Sequence, residues 1–503
     1  MADGLLNKAS IILTPTGYKA GTLYNVAPVV EPYEDFDFAR ASVASRVNSS
    51  GLVEMVGRTL SSELVVNGDF ATDSDWTLGT GWSIGDGKAS YDNSGTASLT
   101  QSFTWESGKT YEIQFEVSDF TSNYRFDLYT GSSFIQSAIV TDKTTWKIYF
   151  DGDGGTIMRF RALTTGAFSL DNVSVKEIID TNNIPRISYD SNGDNGHILL
   201  EPTSTNLITY SEDFSQSFWN QTTADVTVTT NTNPSGTSGT YSVERVTGSQ
   251  LGASFTVTPG NDYTASWYVR NISGSGAIII KDTNNSTNNF TATSEWQRFS
   301  VTATASSATG RCYIQVSTVN DVIEVWGAQF EEGSYATSYI PTLTGSTETR
   351  ATETATGAGS ADLINSTEGV LYAEIAALAD DNTYRVLSLS DGTTNERVYM
   401  QYTNASNTVS VVVKDGGVTQ ANMVYVLSDA TNFSKVAIKY KANDFALWVD
   451  GVERATDTSG NTPTGLNTLA FNSGGSAVFY GKCKALAVFN EALSDSELTQ
   501  LTT

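Results

Sequence analysis

Cysteine, proline, histidine and positive charge are all scarce in this chain of 503 residues. Its two cysteines, Cys312 and Cys483, fall in stretches that read as different modules, so no disulfide framework is expected to hold the fold. Nine prolines against 42 glycines, with few long helical periods, argue against a helix bundle. The one histidine, His197, sits in a Gly/Asn/Asp turn and reads as an exposed loop residue. No Gly-x-Ser-x-Gly elbow, metal-spaced Cys/His set or phosphate loop occurs, and the chain reads as no enzyme. Twenty-nine basic residues face 55 acidic ones, and a net charge of −26 repels phosphate backbones and anionic lipid. Nucleic acid is therefore excluded as a partner. Membrane insertion is excluded as well, since no apolar run approaches the roughly 20 residues a spanning helix needs. Met1-Ala2-Asp3-Gly4 also lacks the basic-then-apolar leader of ordinary secretion.

What is present is β-sheet sequence. Short runs of Val, Ile, Tyr, Phe and Thr alternate with Gly, Asn, Asp and Ser turns, and the length implies three or more domains. Phe103, Gly108 and Tyr111 share their mutual offsets with Phe255, Gly260 and Tyr263, which marks an internal repeat. Asn67–Phe70 with Trp76 mirrors Glu212–Phe214 with Trp219; Trp146 mirrors Trp296, and Phe168–Val173 mirrors Ile323–Trp326. In the first copy, Tyr111, Ile113, Phe115 and Val117 alternate with Glu112, Gln114 and Glu116, predicting a half-buried antiparallel strand with its glutamates in solvent.

The chain divides into an N-terminal anchoring segment (1–61), a first sandwich (62–178), a connector packing with that segment (179–205), a second sandwich (206–342), a Thr/Ser/Gly-rich linker (343–360) and a last sandwich (361–503). The N-terminal segment is too poor in apolar residues for a core of its own. In the last sandwich, Asp450-Gly451 after Trp448-Val449 predicts a tight hairpin, and Ser494-x-x-Glu497 a capped helix.

Phe36–Ser42, Arg46–Asn48, Gly51–Glu54, Pro185–Tyr189, Leu200–Pro202, Asn206–Phe214 and Trp326–Gly333 together resemble a recurrent block in structural proteins of tailed bacteriophages. The resemblance implies a virion protein such as a tail or head fibre, made in the host cytoplasm and carried on the particle surface. Other virion proteins of capsid or tail and host-surface glycans would be its partners. The alternative is a capsid decoration or head-fibre protein with a purely structural role. In that block Gly-Leu-Val-Glu normally runs almost directly into Pro-Arg-Ile-x-Tyr, so the first sandwich reads as an insertion, and residues 1–61 and 179–205 should meet in space. Symmetric particles and coreless segments together point to a homotrimer.

Both repeats resemble jelly-roll carbohydrate-binding modules, and the last module resembles a concanavalin A-like or laminin G-like sandwich, through Trp448–Gly451 and Phe489–Leu498. The expected fold is therefore all-β and multidomain, with two jelly-roll β-sandwiches followed by a concanavalin A-like one. The clustered Glu-x-Asp-x-x-Glu strand of concanavalin-like glycosidases is missing. Exposed aromatics would give flat platforms for sugars, and Trp76, Trp82, Tyr124, Tyr129, Trp219, Trp267 and Tyr268 are the candidates. The jelly-roll resemblance further implies a structural calcium between first and last strands, at Asp69 with Asp171 and at Asp213 with Glu324.

Overall fold

A computed structural model describes the chain apart from residues 1–4, 6, 28–33, 121–123, 132, 141–144, 164–165, 221–223, 246–249 and 475–476. The described residues are almost wholly β, in two compact units: residues 58–180 with 342–346, and the rest of the chain.

The 58–180 unit is a jelly roll. One sheet runs Thr145–Asp151, Thr110–Ser118, Phe168–Asp180, Lys88–Tyr91, Trp82–Gly85, with Arg58–Leu60 also on Phe168–Asp180; the other runs Phe134–Val140, Tyr124–Tyr129, Ile157–Ala162, Ala97–Ser102, Thr77–Leu78. Between them Phe115, Phe126, Trp146 and Phe160 pack edge-to-face, with centroids 5.1–5.3 Å apart in three of the pairs. Tyr111, Ile113, Phe115 and Val117 are buried as their alternation requires. Glu112 is buried too, because Lys147 on the neighbouring strand reaches its carboxylate at 2.8 Å; the expectation that it faces solvent is corrected.

The second jelly roll lies in the other unit. Its five-stranded sheet is Ala224–Thr232, Ser238–Arg245, Val322–Glu332, Asp262–Ser273, Gln297–Thr304, and its four-stranded sheet is Leu251–Thr256, Thr309–Val316, Ala277–Lys281, Thr287–Thr291. One turn explains the repeat. Gly108 and Gly260 both take positive φ, +86° and +91°, so the chain reverses, and the following tyrosine hydroxyl accepts a backbone N–H of the turn: Glu106 to Tyr111 and Thr258 to Tyr263, both 3.0 Å. Likewise Trp76 and Trp219 each donate to a carbonyl nine residues upstream at 2.9 Å. Register corrects one of the proposed equivalences and bears out another. Trp146 pairs with Phe115 and Phe299 with Trp267, so Phe299, not Trp296, is the counterpart of Trp146. By the same ladder Ser169, Leu170 and Asp171 do mirror Glu324, Val325 and Trp326, so Asp171 matches Trp326 and Glu324 matches Ser169.

The C-terminal sandwich has a five-stranded sheet, Val418–Val426, Thr408–Asp415, Arg397–Tyr402, Arg385–Ser390, Thr468–Ala470, facing an eight-stranded one. In the larger sheet Gly481–Phe489, Glu368–Ala377, Ser434–Lys441, Phe445–Val449 and Val452–Asp457 come from the module itself. Asp450 and Gly451 have φ of +49° and +79°, as the hairpin needs, and Ser494 with Glu497 caps the helix Asp495–Thr502.

The remaining strands are not the module's own. Ala9–Leu13 pairs with residues 486–489, and His197–Leu200 with residues 481–483, so two distant segments close one edge of Gly481–Phe489. Ile11, Leu13, Ile198 and Leu200 enter the sandwich core. The N-terminal segment thus finds its core within its own chain, which removes the coreless-segment argument for a trimer. Residues 343–360 are no linker either: Glu348–Arg350 pairs with Ser204–Asn206, Thr354–Thr356 with Phe36–Ala39, and Arg350, Glu353, Ala355 and Ala358 are buried. Gly359 there lies against the side chains of Ile11 and Ile364, where a Cβ would collide.

Candidate functional site

Segments distant in sequence meet at a buried ion network in the larger unit. Arg40 Nη1 lies 2.6 Å from Glu353 Oε1, and Arg186 Nε donates to the same oxygen at 2.8 Å. Arg186 Nη2 also bonds Glu353 Oε2, and at 2.9 Å Glu201 Oε2, which Arg350 Nη1 approaches at 3.1 Å. Each arginine also donates to a backbone carbonyl: Arg40 to Ser42 O at 2.8 Å, Arg186 to Ser45 O at 2.8 Å and Arg350 to Pro202 O at 2.6 Å, while Arg40 Nη2 and Arg350 Nε are buried without a hydrogen-bond partner. Glu331 joins through Thr337, whose hydroxyl both donates to it at 2.6 Å and accepts from Arg350 at 3.1 Å. Three guanidiniums therefore meet three carboxylates. Burial opposes ionisation of Glu201, but Arg350, Arg186 and the Ser338 hydrogen bonds outweigh it and hold its carboxyl at about 2. Arg40, Arg186 and Glu201 belong to the phage-like block; Arg350 and Glu353 were hidden in the Thr/Ser/Gly stretch, where two charges in a polar low-complexity run were the only signal.

The expected aromatic platforms are mostly core. Trp76, Trp82, Tyr124, Trp219 and Trp267 are buried, their rings filling the two jelly rolls, because a strand's alternation sends half its large residues inward. Tyr268 is half-buried: its ring packs against Trp326 at 5.4 Å and Tyr339 at 6.2 Å, beside Val53 from the hairpin Ala44–Val47/Val53–Val56. That hairpin is held to the jelly roll by Val53 N donating to Pro234 O at 2.9 Å. Tyr129 is half-buried too, on the sheet face away from the core, with the Arg159 and Arg161 guanidiniums over its ring.

Of the carboxylates proposed for calcium, Asp213 and Glu324 do not assemble. Val325 faces the core with Tyr241, so Glu324 points to the opposite sheet face, where Arg270 and Thr229 bind it at 2.7 and 2.9 Å. Asp213 lies on the core side with the Tyr241 hydroxyl, Ser215 and Gln216. Asp69 and Asp171 accept the local backbone N–H of Ala71 and Asn172. Among the described residues no three His, Cys, Asp or Glu side chains converge as a metal set, and Asp213 with Glu324 does not fit an ion that takes six to eight oxygens. His197, expected in an exposed loop, is buried where the connector strand joins the C-terminal sheet, its ring 5.5 Å from Phe433. Burial, against a 2.8 Å bond to Asn195 O and aided by Lys482 and Lys484, lowers its pKa to about 4.

Aromatic and polar groups meet on the surface of both units. In the larger unit, Tyr18, Tyr189, Thr16, Arg46, Asn48 and Glu54 line a cleft of about 460 Å³. Its charges are held in place: Glu54 accepts from Arg46 Nε at 2.7 Å and from Asn48 Nδ2 at 2.9 Å, and Arg46 Nη1 reaches Ile187 O at 3.2 Å. In the 58–180 unit, the sheet face away from the core carries Tyr129 with the guanidiniums of Arg159 and Arg161 at 4.6 and 5.1 Å from its ring. The sequence signal for that face was the alternation Arg125-x-Asp127-x-Tyr129 and Arg159-x-Arg161 on adjacent strands.

Residues 363–499 match the family model described as the concanavalin A-like lectin/glucanases superfamily, of the laminin G type. No curated protein matches the chain. Among solved structures, a carbohydrate-binding module of the Ruminococcus gnavus intramolecular trans-sialidase, bound to α2,3-sialyllactose, is 19% identical over 29% of this chain and 94% of that chain, with a TM-score of 0.25. The tandem carbohydrate-binding modules of Paenibacillus barcinonensis Xyn10C are 10% identical over 54% of this chain and 98% of that one, with a TM-score of 0.20. At these identities the likeness concerns fold alone. The chain is an all-β, multi-sandwich protein whose C-terminal module is concanavalin A-like and whose structural neighbours include carbohydrate-binding modules.

Proposed function

We propose that this is a non-catalytic structural protein of a tailed-phage particle, an appendage that attaches the virion to saccharides of the host surface. The supporting observation is where the phage-like block lies: Arg40, Arg186 and Glu201, from three of its pieces, meet in one fully buried ion network. A block spent on architecture explains its recurrence independently of any ligand, and leaves recognition to the sandwiches and to clefts such as that of Tyr18 and Tyr189. A capsid-decoration role without a ligand is the second reading, favoured by the burial of most of the expected aromatic platforms. Labelling the chain on purified particles, with a glycan array probed by the full-length protein, decides between them. Attachment requires a distal position and saccharide binding. A position on the capsid shell with no saccharide bound establishes the decoration role, and absence from particles overturns both. Oligomeric state belongs to the same test: the homotrimer is proposed for the assembled particle, and light scattering of the released protein measures it.

A further inference from the structure

We propose that the outer face of the five-stranded sheet in the 58–180 unit binds a carboxylate-bearing saccharide, with Tyr129 as platform for the sugar ring and Arg159 as counter-ion to its acid group. This rests on the reading of the chain as a saccharide-binding attachment protein and names a site and ligand class for it.

The face is built by register. Tyr129 sits opposite Arg159, and Asp127 opposite Arg161. Phe126, Leu128, Met158 and Phe160 alternate with them and occupy the core, so the four polar and aromatic positions share the other side. Thr100 and Ser98 stand across from Arg159 and Arg161 on the next strand, adding two hydroxyls to the same face.

The two arginines differ in commitment. Arg161 is fixed by Asp127, whose carboxylate accepts from its Nε at 3.1 Å and also from Nη2. Arg159 has no carboxylate within ion-pair distance among the described residues, and its Nε is buried without a hydrogen-bond partner. Stacking on Tyr129 satisfies the flat of the guanidinium and leaves its edge donors unused, in the planar fork that fits a carboxylate. Beside it Phe134, 53% exposed, meets the Tyr129 ring edge-on at 5.6 Å, and Ile157 is 38% exposed. Open apolar surface against an uncompensated cation suits a ligand with both a C–H face and an anionic group, which is the chemistry of an acidic sugar. A long phosphate chain would bring successive charges to a protein of net charge −26, whereas a saccharide end places one at the arginine.

The test uses the full chain on an array of uronate- and sialate-ended oligosaccharides, their methyl esters and neutral counterparts, with calorimetry on trigalacturonate or the best acidic binder. Acidic saccharides are expected to bind about tenfold or more tightly than their esters. Arg159→Gln should remove that preference with an unchanged unfolding midpoint, and Tyr129→Ala should weaken acid and ester alike. Equal binding of acid and ester overturns the proposal, as does an Arg159→Gln chain that keeps the preference, or an oligo-dT that competes as well as the acid. Neutral saccharides bound indifferently to both substitutions overturn this site and leave the attachment reading standing. No saccharide bound anywhere on the array overturns both.

Discussion

Replacing Glu353 by alanine tests the reasoning about the buried network most directly. The carboxylate accepts from Arg40, from two nitrogens of Arg186 and from the backbone N–H of Glu201, and neither it nor either arginine exposes any side-chain surface. Its removal leaves Arg40 without an acidic partner and Arg186 with Glu201 alone, in a medium that screens poorly. Breaking one side of a buried ion pair costs about 3–5 kcal/mol, because the remaining charge cannot recover its water. Spread over the unfolding entropy of roughly 375 residues, at about 2.1 cal/mol/K each, that cost lowers the midpoint of the larger unit by about 4–6 °C. Circular dichroism or differential scanning calorimetry of the full chain reads the shift. The transition of the 58–180 unit, which contains none of these residues, serves as an internal reference. A midpoint within about 1 °C of the wild type would refute the claim that the network holds the segments together.

The same larger unit should lose stability in acid, in two steps. His197 takes a proton in the unfolded chain below about 6.5 but in the fold only near 4, and Glu201 is held at about 2 against an ordinary 4.5; both contributions are present above the higher value and vanish as pH falls to the lower. Urea midpoints at pH 7, 5 and 3 should therefore fall in that order, and His197→Gln should flatten the first step only. Deleting residues 58–180 should leave a folded host, since Gly57 O already accepts from Thr181 N at 2.7 Å and the ends need no new path; loss of the cooperative transition in that deletion would contradict the insertion. Burial raises the thiol pKa of Cys312 and Cys483, so a thiol reagent should label neither in native protein and both in urea. Trp267→Ala should destabilise by about 3–5 kcal/mol through its cavity and leave saccharide binding unchanged where the chain stays folded, because the ring lies in the core.

Local chemistry determined a great deal by itself. Period-two alternation located Tyr111–Val117, Asp450-Gly451 specified a hairpin through its positive φ angles, and the Phe-Gly-Tyr offsets marked a turn that both jelly rolls close with a tyrosine hydroxyl. Each of these is set by neighbours within a few residues. The tertiary structure decided what depends on partners far along the chain. Alternation says that Trp267 and Tyr268 face opposite ways, but only packing shows that one side is core and that the hairpin carrying Val53 lies against the other. Ala9–Leu13 became a core strand because the edge of Gly481–Phe489 was open to it, and His197 lost its solvent in the same way. Arg350 and Glu353 looked like tether residues because their partners, Glu201 and Arg40, lie about 150 and 313 positions away. A buried charge is tolerable only where its counter-charge and hydrogen bonds are also buried, and those were supplied by segments that folding alone brings together.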